Sequence, residues 1–153
     1  MRVYADSSFL VSCYLTDANT PKAKVFLLAH SEPLPFTALH ELEVRNAFRL
    51  GVFRGLVTDK QMRAAARLLD ADLRSGRLVP ATVKWPSVFR AASKLSSTHA
   101  AATGARSLDI LHLAAAAALR CKELASFDSR QRALASVAGF KNSVDESTAT
   151  EPE

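Results

Sequence analysis

The sequence predicts an α/β fold, in which a single domain holds a parallel sheet of about five strands flanked by helices on both faces. Short apolar runs rich in Val, Leu and Phe alternate along the chain with longer segments whose apolar residues recur at helical spacing. With 153 residues and 48% hydrophobic residues, the chain is long enough and apolar enough for one domain with a substantial core. No internal repeat and no glycine-rich phosphate loop is visible in the sequence.

The strand predictions are short apolar runs that end at polar or turn residues. The first is Val-Tyr-Ala, which ends at Asp6, and the last strong one is Leu-Ala-Ser-Phe, which ends at Asp128. A weaker strand is predicted near Phe140. In chain order the four stronger strands are 3–5, 34–36, 78–83 and 124–127.

The segments between these runs have the apolar spacing of helices that pack one face on a core. Several begin at Ser, Thr or Asp, or carry Pro at an early helical position, as helix starts commonly do. In chain order the predicted helices are 8–15, 21–29, 38–53, 59–75, 86–101, 107–119 and 130–137. This alternation of strands and helices is the pattern of a parallel sheet covered on both faces.

The charge distribution separates a basic domain from an acidic end. The whole chain carries a formal charge of +5, but its last eleven residues hold four acids and no base, so residues 1–142 carry +9. We therefore predict a domain over 1–142 and an acidic, disordered tail over 143–153. A body this basic suggests a polyanionic partner such as nucleic acid.

Cysteine usage and apolar stretches indicate a cytoplasmic protein without a membrane contact. Cys13 and Cys121 are the only cysteines, and neither belongs to a CxxC or Cys/His pattern. The longest apolar stretch, 111–119, is shorter than the about 20 residues that a membrane span needs. The chain begins with a strand-like run, so we expect no signal peptide.

Four acidic residues lie where strand-like runs meet helix-like runs: Asp6, Glu43, Asp109 and Asp128. The carboxyl ends of parallel strands share one edge of a sheet, so acids that follow different strands can line one pocket. An Asp at such a turn is also a common helix N-cap, which stabilises a helix by about 1 kcal/mol. On a helix, Glu41 and Glu43 point about 200° apart, so we expect only Glu43 to face the pocket.

At this point the sequence resembles a known family. Residues 4–11 (YADSSFLV), 43–48 (EVRNAF), 107–116 (SLDILHLAAA) and 126–131 (SFDSRQ) are similar to the ordered motifs of PIN-domain ribonucleases. The similarity is greatest to VapC-type toxins of toxin-antitoxin pairs, and it extends from residue 2 to about residue 142.

The resemblance implies a site, a reaction and partners. Asp6, Glu43, Asp109 and Asp128 match the catalytic acids that bind Mg2+ or Mn2+, with Ser8 and Ser126 as support residues. The activity implied is a metal-dependent endoribonuclease that cleaves RNA phosphodiester bonds, as a toxin that inhibits translation. The partners implied are an RNA substrate, a cognate antitoxin and a second copy of the chain, with helices 38–53 and 59–75 as plausible contact surfaces.

The residue types fit this chemistry without reference to the family. Hard cations such as Mg2+ prefer carboxylate oxygens and phosphate, and no Cys/His cluster competes as a zinc site. His112 lies three residues after Asp109 on the same helical face, so it either leans toward the pocket or is a hydrogen-bonded core residue.

Two other functional classes remain open. One is a catalytically silent domain that binds RNA or protein through the same basic surface. The other is a phosphoryl-accepting α/β domain with an Asp nucleophile at a strand end. The phosphatase form of that class needs a second Asp two residues after the first, and position 8 is Ser.

Overall fold

Five short strands carry the fold, and all of their pairings are parallel. The computed structural model describes residues 2–146, with side chains through residue 144. The described strands are β1 (Val3–Ala5), β2 (Leu34–Phe36), β3 (Leu78–Pro80), β4 (Glu123–Ala125) and β5 (Lys141–Asn142). They form a three-stranded sheet in the order β1-β4-β5 and a two-stranded sheet of β2 and β3.

Helices connect and cover these strands. In the described part of the chain they are α1 (Ser7–Tyr14), α2 (Thr20–Ala29), α3 (Ala38–Phe53), α4 (Asp59–Ser75), α5 (Trp85–Thr103), α6 (Ser107–Ala118), α7 (Ser129–Val137) and α8 (Ser143–Glu146). The helix α4 shows why these bounds follow from local sequence. Thr58 and Gln61 form a reciprocal capping box at its start, and Gly76 ends it with φ +78°.

The predicted α/β class and parallel sheet are confirmed, although the strands form two hydrogen-bonded sheets. A side chain occupies the junction between β1 and β2: Nε2 of His40 donates to the carbonyl oxygen of Ala5 at 2.8 Å. Pro35, in the middle of β2, has no N–H to give to a ladder. An imidazole therefore satisfies a backbone acceptor of β1 that a neighbouring strand would otherwise use.

The core has two parts, one on each face of the strands, because successive side chains of β1 point to opposite faces. Val3 and Ala5 belong to a cluster with residues of α1 to α4, whereas Tyr4 belongs to a second cluster formed mainly by α5, α6 and α7. Phe9, Phe48 and other residues of the first cluster are fully buried. The sheet thus has helices on both faces, as the alternating pattern predicted.

Several element ends differ from the sequence prediction by a few residues. The strand predicted at 78–83 ends at Pro80, and the one predicted at 124–127 is Glu123–Ala125, which leaves Phe127 and Asp128 in the loop before α7. The other bounds agree to within two residues of the predictions.

The ordered fold continues past residue 142, the predicted domain boundary. Residues Ser143–Glu146 form α8, Val144 is buried in the first core cluster, and the Ser143 hydroxyl donates to Glu123 at 2.9 Å. The apolar side chain of Val144 packs this short helix against the core. Residues 147–153 of the predicted tail lie outside the described residues. Between residues 2 and 146, no helix combines the length and apolar character required to cross a membrane.

Candidate active site

Asp6 is a buried carboxylate directly after β1, and only one of its oxygens has a hydrogen-bond partner. Its side chain is 1% exposed. Oδ1 accepts from the backbone N–H of Phe9 at 2.6 Å and from the Ser8 hydroxyl at 2.8 Å, so Asp6 caps α1. Oδ2 has no hydrogen-bond partner among the described residues. Such a buried and unpartnered anionic oxygen is costly unless a cation or a donor arrives.

The electrostatics of Asp6 follow from this burial. Desolvation raises the pKa of its carboxyl, and the Ser126 hydroxyl, the Phe9 N–H and the Ser8 hydroxyl offset part of the rise. Ser126 is itself fully buried, and its Oγ accepts from the backbone N–H of Asp128 at 3.1 Å. Ser126 therefore lies beside Asp6 and also binds the backbone of Asp128.

Glu43 reaches the same region from the side of α3. The Ser7 hydroxyl donates to Oε2 of Glu43 at 2.8 Å, and Nε2 of His112 is hydrogen-bonded to the same oxygen. Burial raises the pKa of Glu43, but the hydrogen bond and charge of His112, together with the Ser7 hydroxyl, outweigh it, so the net pKa is lowered. Glu43 is thus held as a carboxylate by groups from α1 and α6.

His112 is both a core residue and a neighbour of the site. Its Nδ1 lies 2.8 Å from the Tyr4 hydroxyl, and its Nε2 lies 3.0 Å from the Ser7 hydroxyl. Since the Glu43 carboxylate can only accept, Nε2 carries a proton and donates it. The side chain is 3% exposed, so strand β1 and helix α6 fix its orientation.

Asp109 and Asp128 share one cation, the guanidinium of Arg106. Nε of Arg106 lies 3.1 Å from Oδ2 of Asp109, and its Nη2 lies 3.0 Å from Oδ2 of Asp128. Asp109 also accepts the backbone N–H of Arg106 at 2.9 Å, which closes the first turn of α6. The other oxygen of Asp128, Oδ1, accepts the N–H groups of Arg130 and Gln131 at the start of α7.

The four acids occupy one continuous network. Ser126 lies beside Asp6 and accepts the backbone N–H of Asp128, and Arg106 joins the carboxylates of Asp128 and Asp109. The helix α6 then carries the network one turn further, to His112, which binds Glu43. Asp6 and Asp128 are the residues directly before α1 and α7, whereas Glu43 and Asp109 lie within α3 and α6.

As they stand, these side chains do not form a ready metal cage. Among the described residues, no three His, Cys, Asp or Glu side chains are grouped so that they could hold one ion. The contacts above give the reason: Arg106 lies between Asp109 and Asp128, while His112 and Ser7 take one oxygen of Glu43. The donor set nevertheless suits a hard cation, because it consists of carboxylates and includes the unpartnered Oδ2 of Asp6.

Four neighbours of the acids were not predicted from sequence: Tyr4, Ser7, His40 and Arg106. Tyr4 and Asp6 alternate onto one face of β1, a spacing that could have indicated Tyr4. Arg106 lies three residues before Asp109, a distance at which helical charges pair. Glu41 pairs with Arg45 at 2.5 Å, and Asp70 also binds Arg45.

Comparison with known proteins places the chain in a family. The crystal structure of Mycobacterium tuberculosis VapC20, described as a Sarcin-Ricin loop cleaving toxin, matches with a TM-score of 0.65 at 18% sequence identity, covering 90% of this chain and 95% of that chain. A search of curated proteins finds no significant match. At this identity the structural likeness shows a shared fold. Residues 3–137 match the sequence model of the PIN domain, which is most of the chain, so this protein belongs to the PIN-domain family.

Proposed function

We propose that this protein is a metal-dependent endoribonuclease that acts as the toxin of a toxin-antitoxin pair. The observation that carries the proposal is the buried Asp6 carboxylate, whose unpartnered oxygen lies in a network with Glu43, Asp109 and Asp128. A buried carboxylate oxygen without a partner destabilises the fold, so its presence favours a role in binding a cation. Membership of the PIN-domain family supports the same conclusion.

Asp6, Glu43, Asp109 and Asp128 are the residues that would hold Mg2+ or Mn2+. When bound, such a cation supplies Lewis-acid activation of water and neutralises charge on a phosphodiester. The all-carboxylate donor set favours these hard cations over zinc.

The surrounding residues position the acids. Ser8 and the Phe9 N–H hold Oδ1 of Asp6, so Oδ2 is the oxygen that would be available to bind the ion. Ser7 and His112 hold Glu43 in one orientation and keep it ionised. Such outer contacts restrict the orientation of metal ligands and contribute strongly to affinity and activity.

The basic surface would supply affinity for RNA. The chain has 20 Lys and Arg residues against 15 acids, and the acids of the site would be neutralised by the metal. Neutralising phosphates gives affinity that is independent of sequence and falls with salt. Arg45 is a poor candidate for such a contact, because Glu41 and Asp70 already pair with it.

The direct test is cleavage of total cellular RNA by purified protein in Mg2+, Mn2+ or EDTA. A synthetic RNA with the sarcin-ricin loop is a second substrate, since that loop is what VapC20 is described as cleaving. We expect a few metal-dependent cuts that Asp6→Asn and Asp109→Asn abolish. Glu43→Gln and Glu41→Gln form a matched pair on α3, and only the first should lose activity.

Each other result has a definite meaning. Equal cleavage by wild type and all variants would trace the activity to a contaminant. A folded wild type that cuts neither substrate with either metal would favour the silent binding domain instead.

The toxin role requires a cognate antitoxin, and we propose that the toxin also forms a homodimer. Exposed apolar residues on and beside α3 and α4 support such contacts: Leu42 is 69% exposed, Phe53 86%, Leu56 74% and Leu68 55%. Light scattering of Phe53→Ser and Leu68→Ser should show a monomer if these faces form the dimer. Growth arrest on expression, relieved by co-expressing the neighbouring gene, tests the antitoxin.

A further inference from the structure

Arg106 occupies the position between two of the four acids. Its guanidinium contacts both oxygens of Asp109, at 3.1 Å and 3.5 Å, and one oxygen of Asp128, at 3.0 Å. The two acids come from different elements, because Asp109 lies in α6 and Asp128 is the N-cap of α7. The arginine therefore does what a divalent cation would do there: it holds two carboxylates from separate elements together.

We infer that Arg106 is an internal counter-cation that competes with the divalent ion for Asp109 and Asp128, and so sets how tightly the site binds metal. This inference rests on the proposed function, because it takes these acids to be metal ligands. In the absence of metal the arginine offsets repulsion between the carboxylates. Metal binding then requires the guanidinium to give up these contacts.

The surroundings of Arg106 allow this exchange. Its side chain is 62% exposed, so it can turn into solvent without leaving a cavity in the core. The cap of α6 does not depend on it, since Asp109 also accepts the backbone N–H of Arg106. The guanidinium is thus not required to hold α6 in place.

Among the described residues, the other two acids make no ion pair with an arginine or lysine. Oδ2 of Asp6 is unpartnered among the described residues, and Glu43 is held by His112 and Ser7. Arg106 therefore bonds directly to Asp109 and Asp128, and its charge also acts on Asp6.

The test is calorimetric titration of Mn2+ into the full chain, comparing wild type with Arg106→Gln. Arg130→Gln is the control, because it removes a neighbouring positive charge that pairs with no carboxylate among the described residues. We expect Arg106→Gln to lower the Mn2+ dissociation constant by about three- to tenfold, since each exposed ion pair shifts an equilibrium by a few-fold. Arg130→Gln should change it by less than about twofold, through long-range charge alone.

A second measurement observes metal binding in the wild-type protein and does not depend on the folding of Arg106→Gln. In a nitrogen-15 NMR titration with Mg2+, the Nε–H signal of Arg106, assigned with Arg106→Lys, should move as the guanidinium leaves the carboxylates. If Arg106 had a purely structural role, its Nε–H signal would not move during the titration. Replacing Arg106 would then weaken metal binding or leave it unchanged.

The outcomes separate this inference from the proposed function. If wild type binds Mn2+ and Arg106→Gln binds it equally or less tightly, the competition is overturned while the nuclease proposal stands. If neither protein binds Mn2+, the competition is overturned together with the metal-dependent function. Tighter binding by Arg106→Gln alone, with a moving Arg106 signal, supports the inference.

Discussion

Buried His40 makes the folding stability depend on pH in a direction that follows from its contacts. The backbone N–H of Thr37 donates to Nδ1 at 2.9 Å, and Nε2 donates to the Ala5 oxygen at 2.8 Å, so the neutral ring satisfies both partners. The rings of Tyr4 and His112 lie beside it, with centroids 4.8 Å and 5.0 Å away. Burial and, secondarily, His112 lower the pKa of His40 from 6.5 to about 3.

The sign of the effect follows from proton binding. Between pH 6.5 and about pH 3 the unfolded chain binds a proton at His40 that the folded chain does not bind, so stability falls as the pH is lowered. Lowering the pH from 7 to 5 should cost about 2 kcal/mol from this residue alone. The figure changes little if the folded pKa is one unit higher, because pH 5 still lies above it.

The variant His40→Gln isolates this contribution. Glutamine at the third position of α3 can still accept the Thr37 N–H in a capping box, but it does not titrate. We expect it to be less stable than wild type by about 1–3 kcal/mol at pH 7, because the bond to Ala5 is lost. Its loss of stability between pH 7 and pH 5 should be smaller by about 2 kcal/mol.

Urea unfolding followed by circular dichroism, in steps from pH 7.5 to 5, measures both quantities. His99→Gln, on α5 and outside this cluster, controls for removing an imidazole elsewhere. Parallel stability curves for wild type and His40→Gln would refute the reasoning, because they would mean that His40 takes up a proton in the folded state.

Three further predictions concern the site and its surroundings. Asp6→Asn keeps the helix cap but removes a buried charge. Calorimetry should therefore find a melting temperature about 2–4 °C above that of wild type, while RNA cleavage is lost. A lower melting temperature would show that the structure already stabilises the carboxylate. His112→Asn removes the hydrogen bond that orients Glu43. RNA cleavage and Mn2+ affinity should therefore fall about 10- to 100-fold, with an unchanged circular dichroism spectrum. Tyr4→Phe should lower cleavage and Mn2+ affinity by a smaller factor. Arg45→Ala breaks the ion pairs with Glu41 and Asp70. The free energy of unfolding at low salt should fall by up to about 1 kcal/mol, while RNA cleavage stays at the wild-type rate. A large loss of cleavage would instead indicate that Arg45 contacts RNA.

Local physical chemistry explains why much of the fold could be predicted from the sequence. The bounds of α3 and α4 and of β1 and β2 match the predictions because caps, apolar spacing and turn residues act within a few positions of one another. The strand, acid and helix order at Asp6 and Asp128 likewise indicated two helix N-caps, since an N-cap and a strand end are local features. Helical geometry alone also distinguishes Glu43 from Glu41, because two positions along a helix turn a side chain to nearly the opposite face.

Only the tertiary structure decided which groups those acids meet. Tyr4 and His112 are 108 positions apart in sequence, and Asp128 and Arg106 are 22 apart, so no local periodicity relates them. The side chain of His40 at the junction of β1 and β2 depends in the same way on how α3 packs against the strands. Contacts of this kind depend on the directions of side chains from several packed elements at once. The sequence by itself therefore determined the elements and the acidic set, whereas packing determined that His112 holds Glu43 and that Arg106 lies between Asp109 and Asp128.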